Sequence, residues 1–145
     1  MIRICFVCLG NICRSPMAEF IMKEQVKKRG LVDEFLIESR ATSYEEEGND
    51  MYPPAKKMLE EKNIPYTKHI ARRLEKEDYS KYDFFICMED SNVQRAVSIL
   101  GSQDKVRKLL NRDIADPWYT GEFLTTYQDL YEGINLFLEQ YKSSR

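Results

Sequence analysis

A cysteine and an arginine stand near the start of the chain in Cys8-Leu9-Gly10-Asn11-Ile12-Cys13-Arg14-Ser15-Pro16, directly after the apolar run Ile4-Cys5-Phe6-Val7. A sulfur nucleophile where a strand ends, and a fixed cation where a helix begins, suit capture of a phosphoryl dianion and attack on its phosphorus. Strand, tight loop and helix N-terminus together aim backbone N–H groups and the positive end of the helix dipole into one small space. Gly10 lets the chain turn closely because it has no Cβ. Asn11 tolerates the left-handed backbone that a loop around an anion needs. Ser15-Pro16 reads as an N-cap and a first helical residue, so a helix is expected to start at Pro16. Arg14 presents a planar fork of donors to two phosphate oxygens and keeps its charge. Amides, guanidinium and helix end all favour the thiolate of Cys8, which is the attacking form, and Ser15 can add a hydroxyl hydrogen bond to it. A cysteine found alone is most often simply buried; the company Cys8 keeps argues otherwise.

The segment resembles the phosphate-binding loop of the low-molecular-weight protein tyrosine phosphatases, Cys-x-Gly-Asn-x-Cys-Arg-Ser, and matches it at Cys8, Gly10, Asn11, Cys13, Arg14 and Ser15. A bare cysteine-arginine spacing is a weak signal; the full pattern after an N-terminal strand is a strong one. Asp116-Pro117-Trp118-Tyr119 resembles the family's Asp-Pro-aromatic-Tyr loop. His69-Ile70-Ala71-Arg72 is similar to its His-x-Ala-Arg segment, and Met88-Glu89-Asp90-Ser91-Asn92 to its Met-Asp-x-Ser-Asn stretch. The likeness runs over essentially the whole chain, in the same order. It departs around Ser39-Arg40-Ala41-Thr42, where the family often has Ser-x-Gly-Thr. It departs again in Tyr44-Glu45-Glu46-Glu47, where Glu45 falls at the place of an aromatic rim residue.

The resemblance implies two-step hydrolysis of an aryl phosphate. Cys8 attacks in line, and Leu9 through Ser15 bind the phosphate, with Arg14 and the loop amides stabilising charge on the equatorial oxygens. Asp116 protonates the leaving phenolate and then serves as base for hydrolysis of the phosphocysteine. It must be protonated for one step and ionised for the other, so activity is expected to peak at mildly acidic pH. Trp118 and Tyr119 form one wall of a slot for a phenyl ring, with Glu45 at the rim. His69 supports the loop through Asn11 rather than acting as a base, and Ser39, Ser91 and Asn92 are further supports. Cys13 resembles a family cysteine that forms a reversible disulfide with the nucleophile, shielding it from further oxidation. The expected partner is a tyrosine-phosphorylated protein or small aryl phosphate, with inorganic phosphate competing; no cofactor is expected.

Three rivals follow from the same residues. A protein arginine phosphatase on this scaffold resembles Cys-Thr-Gly-Asn-Thr-Cys-Arg, but Ile12 supplies no hydroxyl at the second threonine. An arsenate reductase needs relay cysteines, and none follows Cys87. A phosphate-binding module without catalysis has no need of Cys8, Arg14 and Asp116 together.

The elements that position these residues read as an α/β fold with a parallel four-stranded sheet, helices on both faces, and the phosphate loop after the first strand. The 145 residues suit one domain, 1–145, with a full core. Strands are expected at Ile2–Val7, Phe35–Glu38, Tyr82–Met88 and Val106–Leu110. Helices are expected at Pro16–Arg29, Pro54–Lys62, Ser91–Leu100 and Thr125–Tyr141, with Gly30 and Gly101 ending the first and third. Ligands of such sheets bind beyond the C-terminal strand ends, where strand order switches, so Cys8 and Asp116 are expected at one crevice. A net charge of −2 gives no general attraction to nucleic acid or acidic membranes. The N-terminal apolar stretch is short, interrupted by Asn11 and Arg14, and lacks a basic leader, so neither a membrane span nor a signal peptide is expected. With a working thiol, that favours the cytoplasm. Cys5 and Cys8 form a C-x2-C, but strand residues three apart point to opposite faces, so they cannot share a metal. His69 is the sole histidine, and no metal is expected; Cys5 and Cys87 are expected in the core.

Overall fold

The computed structural model describes residues 1–144. Four parallel strands, β1 (Ile2–Cys8), β2 (Phe35–Ala41), β3 (Phe84–Cys87) and β4 (Val106–Lys108), lie in the order β2-β1-β3-β4. The chain runs from β1 out to β2 on one side and returns to β3 on the other. The switch in strand order therefore falls at the C-terminal end of β1, where Cys8 stands.

The first strand reads as a continuous apolar run because both its faces are covered. Ile4, Phe6 and Cys8 pack in a cluster with α1 (Arg14–Lys28), α2 (Pro53–Glu61) and α5 (Phe123–Ser144). Cys5 and Val7 pack in a second cluster with Phe85, Cys87 and α3 (Asp90–Leu100). Cys5 and Cys8 thus face opposite ways, as strand alternation requires. Cys5 and Cys87 are fully buried, and burial pushes the Cys87 thiol up to about 12. Leu130, Ile134 and Leu138 recur at helical spacing on α5 and are fully buried.

Several boundaries differ from those the sequence suggests. The first helix begins at Arg14, with Cys13 at its N-cap and no side-chain cap. Ser15 is not the cap, because its hydroxyl turns to Cys8 instead. Pro16 is tolerated two residues further in than expected, at the third helical position, where a backbone N–H has no intrahelical acceptor to lose. Gly30, at φ 69°, follows the helix as expected. Strand β2 continues through Ala41, its whole length paired with β1. Strands β3 and β4 are shorter than expected; Tyr82, just outside β3, is buried and donates its hydroxyl to Glu38. Two 3-10 turns, Val32–Glu34 and Lys76–Ser80, and a four-residue helix α4 (Pro117–Thr120) were not foreseen.

Candidate active site

The loop from Cys8 to Arg14 forms the floor of a cavity of about 140 Å³, and Glu45, Glu46, Asp116, Trp118 and Tyr119 complete its lining. Every residue expected at the reaction centre or the substrate wall is therefore brought to one place. The floor is held by a chain of hydrogen bonds that starts at Asn11, whose φ of 60° puts it in the left-handed region. Its Nδ2 donates to Ser15 Oγ at 2.7 Å and to Ser39 Oγ at 3.0 Å. Its Oδ1 accepts from the Arg72 N–H and from His69 Nε2, both at 3.1 Å. Both amide hydrogens and both carbonyl lone pairs are thus used, and the side chain is fully buried. Gly10 is not among the left-handed residues. A Cβ there would meet Glu46 Cγ at 3.4 Å, an ordinary van der Waals contact, so neither a positive φ nor lack of space requires glycine at this position, contrary to the expectation from sequence.

This network sets the hydrogen at Ser15. Because Ser15 Oγ accepts from Asn11, its own hydrogen is free to point at Cys8 Sγ, 3.0 Å away; the Ser15 N–H reaches the same sulfur at 3.4 Å. Ser39 passes its hydrogen to Glu19 Oε1 at 2.6 Å. His69 Nε2 lies 2.7 Å from the Asn11 carbonyl as well as near Oδ1, and two oxygen acceptors require that nitrogen to carry the hydrogen. Burial pushes His69 below the usual imidazole range, outweighing the pull of Asn11, so the ring is held neutral. The sequence reading also places His69 against the loop at Asn11, and these contacts put it there.

Arg14 is 99% hidden from solvent, at 1% exposure. Its Nη1 donates to the Ile114 carbonyl at 2.8 Å, and its Nη2 lies 3.3 Å from Glu89 Oε1 and 3.4 Å from Asp116 Oδ2. Burial works against its charge, but Cys8, Asp116 and Glu89 outweigh that and raise it further above neutrality. Asp116 is the N-cap of α4, its Oδ1 accepting the Trp118 N–H at 3.0 Å. It is thus both a turn residue and a cavity carboxylate. Trp118 packs against Tyr52 with ring centroids 4.6 Å apart and the rings tilted at 52°, and Tyr52 donates its N–H to the Ile12 carbonyl at 2.8 Å. Cys13 is buried beneath the same loop, and burial together with the neighbouring Cys8 raises its thiol well above the usual range.

Two expectations need adjustment. Ser91 is exposed at the start of α3 and lies outside the loop network. Asn92 acts at one remove: it caps α3 by accepting the Glu89 N–H at 3.2 Å, which steadies the carboxylate facing Arg14. Reading the sequence did not single out Glu89, Glu19 or Tyr52. Glu89 carried a signal, as the acidic residue of the Met-Glu-Asp-Ser-Asn stretch after an apolar strand; Glu19 and Tyr52 carried none.

The model of the low molecular weight phosphotyrosine protein phosphatase family matches residues 3–145. A low molecular weight protein-tyrosine-phosphatase, PtpA of Staphylococcus epidermidis, is 38% identical over 130 residues, covering 85% of this chain and 82% of its own. A low molecular weight protein tyrosine phosphatase of Streptococcus pyogenes superposes with a TM-score of 0.90 at 37% identity, covering 97% of this chain and 93% of that one. YfkJ of Bacillus subtilis superposes at 0.95 with 30% identity, covering 100% and 97%. The chain belongs to the low-molecular-weight protein tyrosine phosphatase family, whose members are cysteine-dependent hydrolases.

Proposed function

We propose that the protein hydrolyses phosphotyrosine and other aryl phosphates through a phosphocysteine on Cys8. The observation that carries this reading is the convergence of Cys8, Arg14 and Asp116 on one cavity sized for a phosphoryl group and part of an aromatic ring. Sulfur attacks phosphorus, and the bond to the phenolic oxygen breaks as that oxygen takes the proton of Asp116. Arg14 and the loop amides hold the equatorial oxygens throughout. Water then attacks the phosphocysteine, giving its proton to the Asp116 carboxylate and releasing inorganic phosphate and the thiolate. Ser15, its hydrogen turned to the sulfur by Asn11, steadies that thiolate as it leaves.

Ile12 favours tyrosine over arginine phosphate. It lines the cavity with an apolar side chain and offers no hydroxyl to orient water at a P–N bond. Proximity of Cys8 and Cys13 in one short loop supports a protective disulfide under oxidant, in keeping with a reducing cytoplasm as the working compartment. Among the described residues no helix is long and apolar enough to cross a membrane.

The test is rapid acid quenching during turnover of a labelled aryl phosphate, with the adduct mapped by mass spectrometry. A thiol-linked phosphoryl group at Cys8 is expected, together with loss of turnover but retained vanadate binding in Cys8→Ser. Measurable turnover by that variant excludes the covalent route. Faster release of phosphate from phosphoarginine than from phosphotyrosine reassigns the substrate.

A further inference from the structure

We infer that the cavity mouth selects phosphotyrosine flanked by lysine or arginine, with Glu45 as the residue that makes the choice. This rests on the phosphatase reading and concerns which peptides reach that site. Two unlike segments form the mouth. Trp118 and Tyr119, 50% and 77% exposed, line it from the short helix α4, and Glu45 and Glu46 line it from the segment that follows β2.

The acidic segment is held in place. Thr42 and Ser43 donate their N–H groups to the Cys8 and Leu9 carbonyls at 2.9 and 3.1 Å, tying the segment to the phosphate loop itself. At its far end, Gly48 donates to the Ala71 carbonyl at 2.8 Å, and Ala71 donates to Asn49 at 2.7 Å. Glu46 is fixed by Asn49, whose Nδ2 donates to Oε2 at 2.7 Å, and Glu47 is taken by the Arg73 N–H at 2.9 Å. Glu45 differs from both. It is exposed, lines the cavity, and among the described residues its carboxylate has no partner.

A phosphotyrosine that reaches Arg14 with its phosphate leaves its own backbone, and the residues beside it, at this rim. An unpaired carboxylate there attracts a neighbouring cation and repels a neighbouring anion. Exposed pairs are individually weak, so two flanking positions of opposite sign should separate substrates by about tenfold at low ionic strength.

The test uses one phosphotyrosine peptide in three versions, with Lys, Gln or Glu on both sides of the phosphotyrosine. Wild-type kcat/KM is expected to fall in that order, by about tenfold from first to last, and the spread to narrow as salt is added. Glu45→Lys is expected to reverse the order, and Glu45→Gln to flatten it. Binding of the same peptides to Cys8→Ser, read by fluorescence anisotropy, is expected to rank them alike. Equal kcat/KM for all three, or a ranking that Glu45→Lys leaves in place, overturns the inference while the phosphatase reading stands. Failure of the wild-type protein to turn over any of the peptides or a small aryl phosphate overturns both.

Discussion

Asp116 Oδ2 lies 3.4 Å from Arg14 Nη2, so the carboxylate proposed as acid and the guanidinium proposed to clamp phosphate are paired with each other. A phosphoryl group entering the cavity competes for that guanidinium. Arg14 keeps the Ile114 carbonyl and Glu89 as anchors, so it need not move when it exchanges Asp116 for a phosphate oxygen. The carboxyl, still tethered through Oδ1 to the Trp118 N–H, is then free to turn to the leaving oxygen. Under the proposed mechanism, binding and assembly of the acid thereby become one event.

Replacing Asp116 separates its part in catalysis from its part in structure. Asp116→Asn retains a side-chain oxygen to cap α4 but has no proton to give at the carboxyl strength required. Turnover of phenyl phosphate, a poor leaving group, should fall by about 10²–10⁴, the range of general acid catalysis. Esters with strongly acidic phenols should lose far less. A leaving-group series of kcat/KM measures this directly, and parallel losses across the series exclude Asp116 as the acid.

Asn11 is the residue on which the cradle's shape turns. Asn11→Ala takes a partner from Ser15 Oγ, Ser39 Oγ and the Arg72 N–H in a buried site, while His69 keeps the backbone carbonyl, and it forces alanine into a left-handed backbone. A loss of about 2–4 kcal/mol is expected by urea unfolding. Asn11→Gly removes the backbone strain but still lacks the side-chain amide, so it should recover part of the stability and little of the activity. If glycine restores both, the amide network has no share in holding Cys8 and Ser15 in register.

How much of this was legible beforehand depended on whether the partners were near in sequence. The cradle from Cys8 to Ser15 is local, and its strand-loop-helix context follows from a few neighbouring residues. The alternation of apolar and amphipathic runs likewise gave the parallel sheet with covered faces. Ser15 misled because its hydroxyl meets Cys8 and Asn11 across the loop, which cap statistics do not see. The expected β2 stops at Glu38, three residues short of its observed end at Ala41, and leaves out Ser39 and Arg40. Their partners, Glu19 and Asn11 for one and Tyr82 for the other, arrive from distant elements. Glu89 was passed over for the same reason, since it is 75 residues from the arginine it faces.

Stability should fall on mild acidification, and His69 is the group to watch. Burial lowers its folded-state ionisation, whereas the unfolded chain titrates at about 6.5. Below that pH the unfolded state takes up a proton that the folded state refuses, so stability declines as pH drops and levels off once the folded ring also titrates. Asp50 acts lower down. Burial opposes its charge, but the Lys56 ammonium and the His69 and Met51 N–H groups hold its carboxyl at about 2. Its contribution, complete above about pH 4, is lost on the way to pH 2. Urea midpoints measured from pH 7.5 to 5 should slope for the wild type and flatten in His69→Gln. Matching slopes in the two proteins would remove His69 as the cause.

Tyr52 should govern the acid without touching substrate. Its ring packs on Trp118 at 4.6 Å and lies 6.1 Å from Phe123, while its N–H is bound to the Ile12 carbonyl. It therefore joins the floor of the cavity to the short helix that Asp116 caps. A four-residue helix has little stability of its own, so the aromatic contact must supply much of what fixes it. Tyr52→Ala removes the ring but leaves the backbone bond and the phosphate cradle. The expected result is a fall in kcat of about tenfold for poor leaving groups and a smaller one for good ones. Inhibition by inorganic phosphate, which needs only the floor, should change little. Tyr52→Phe keeps the packed ring and should behave as wild type. Should the alanine variant instead lose phosphate affinity as heavily as turnover, Tyr52 supports the cradle and the coupling to Asp116 is wrong.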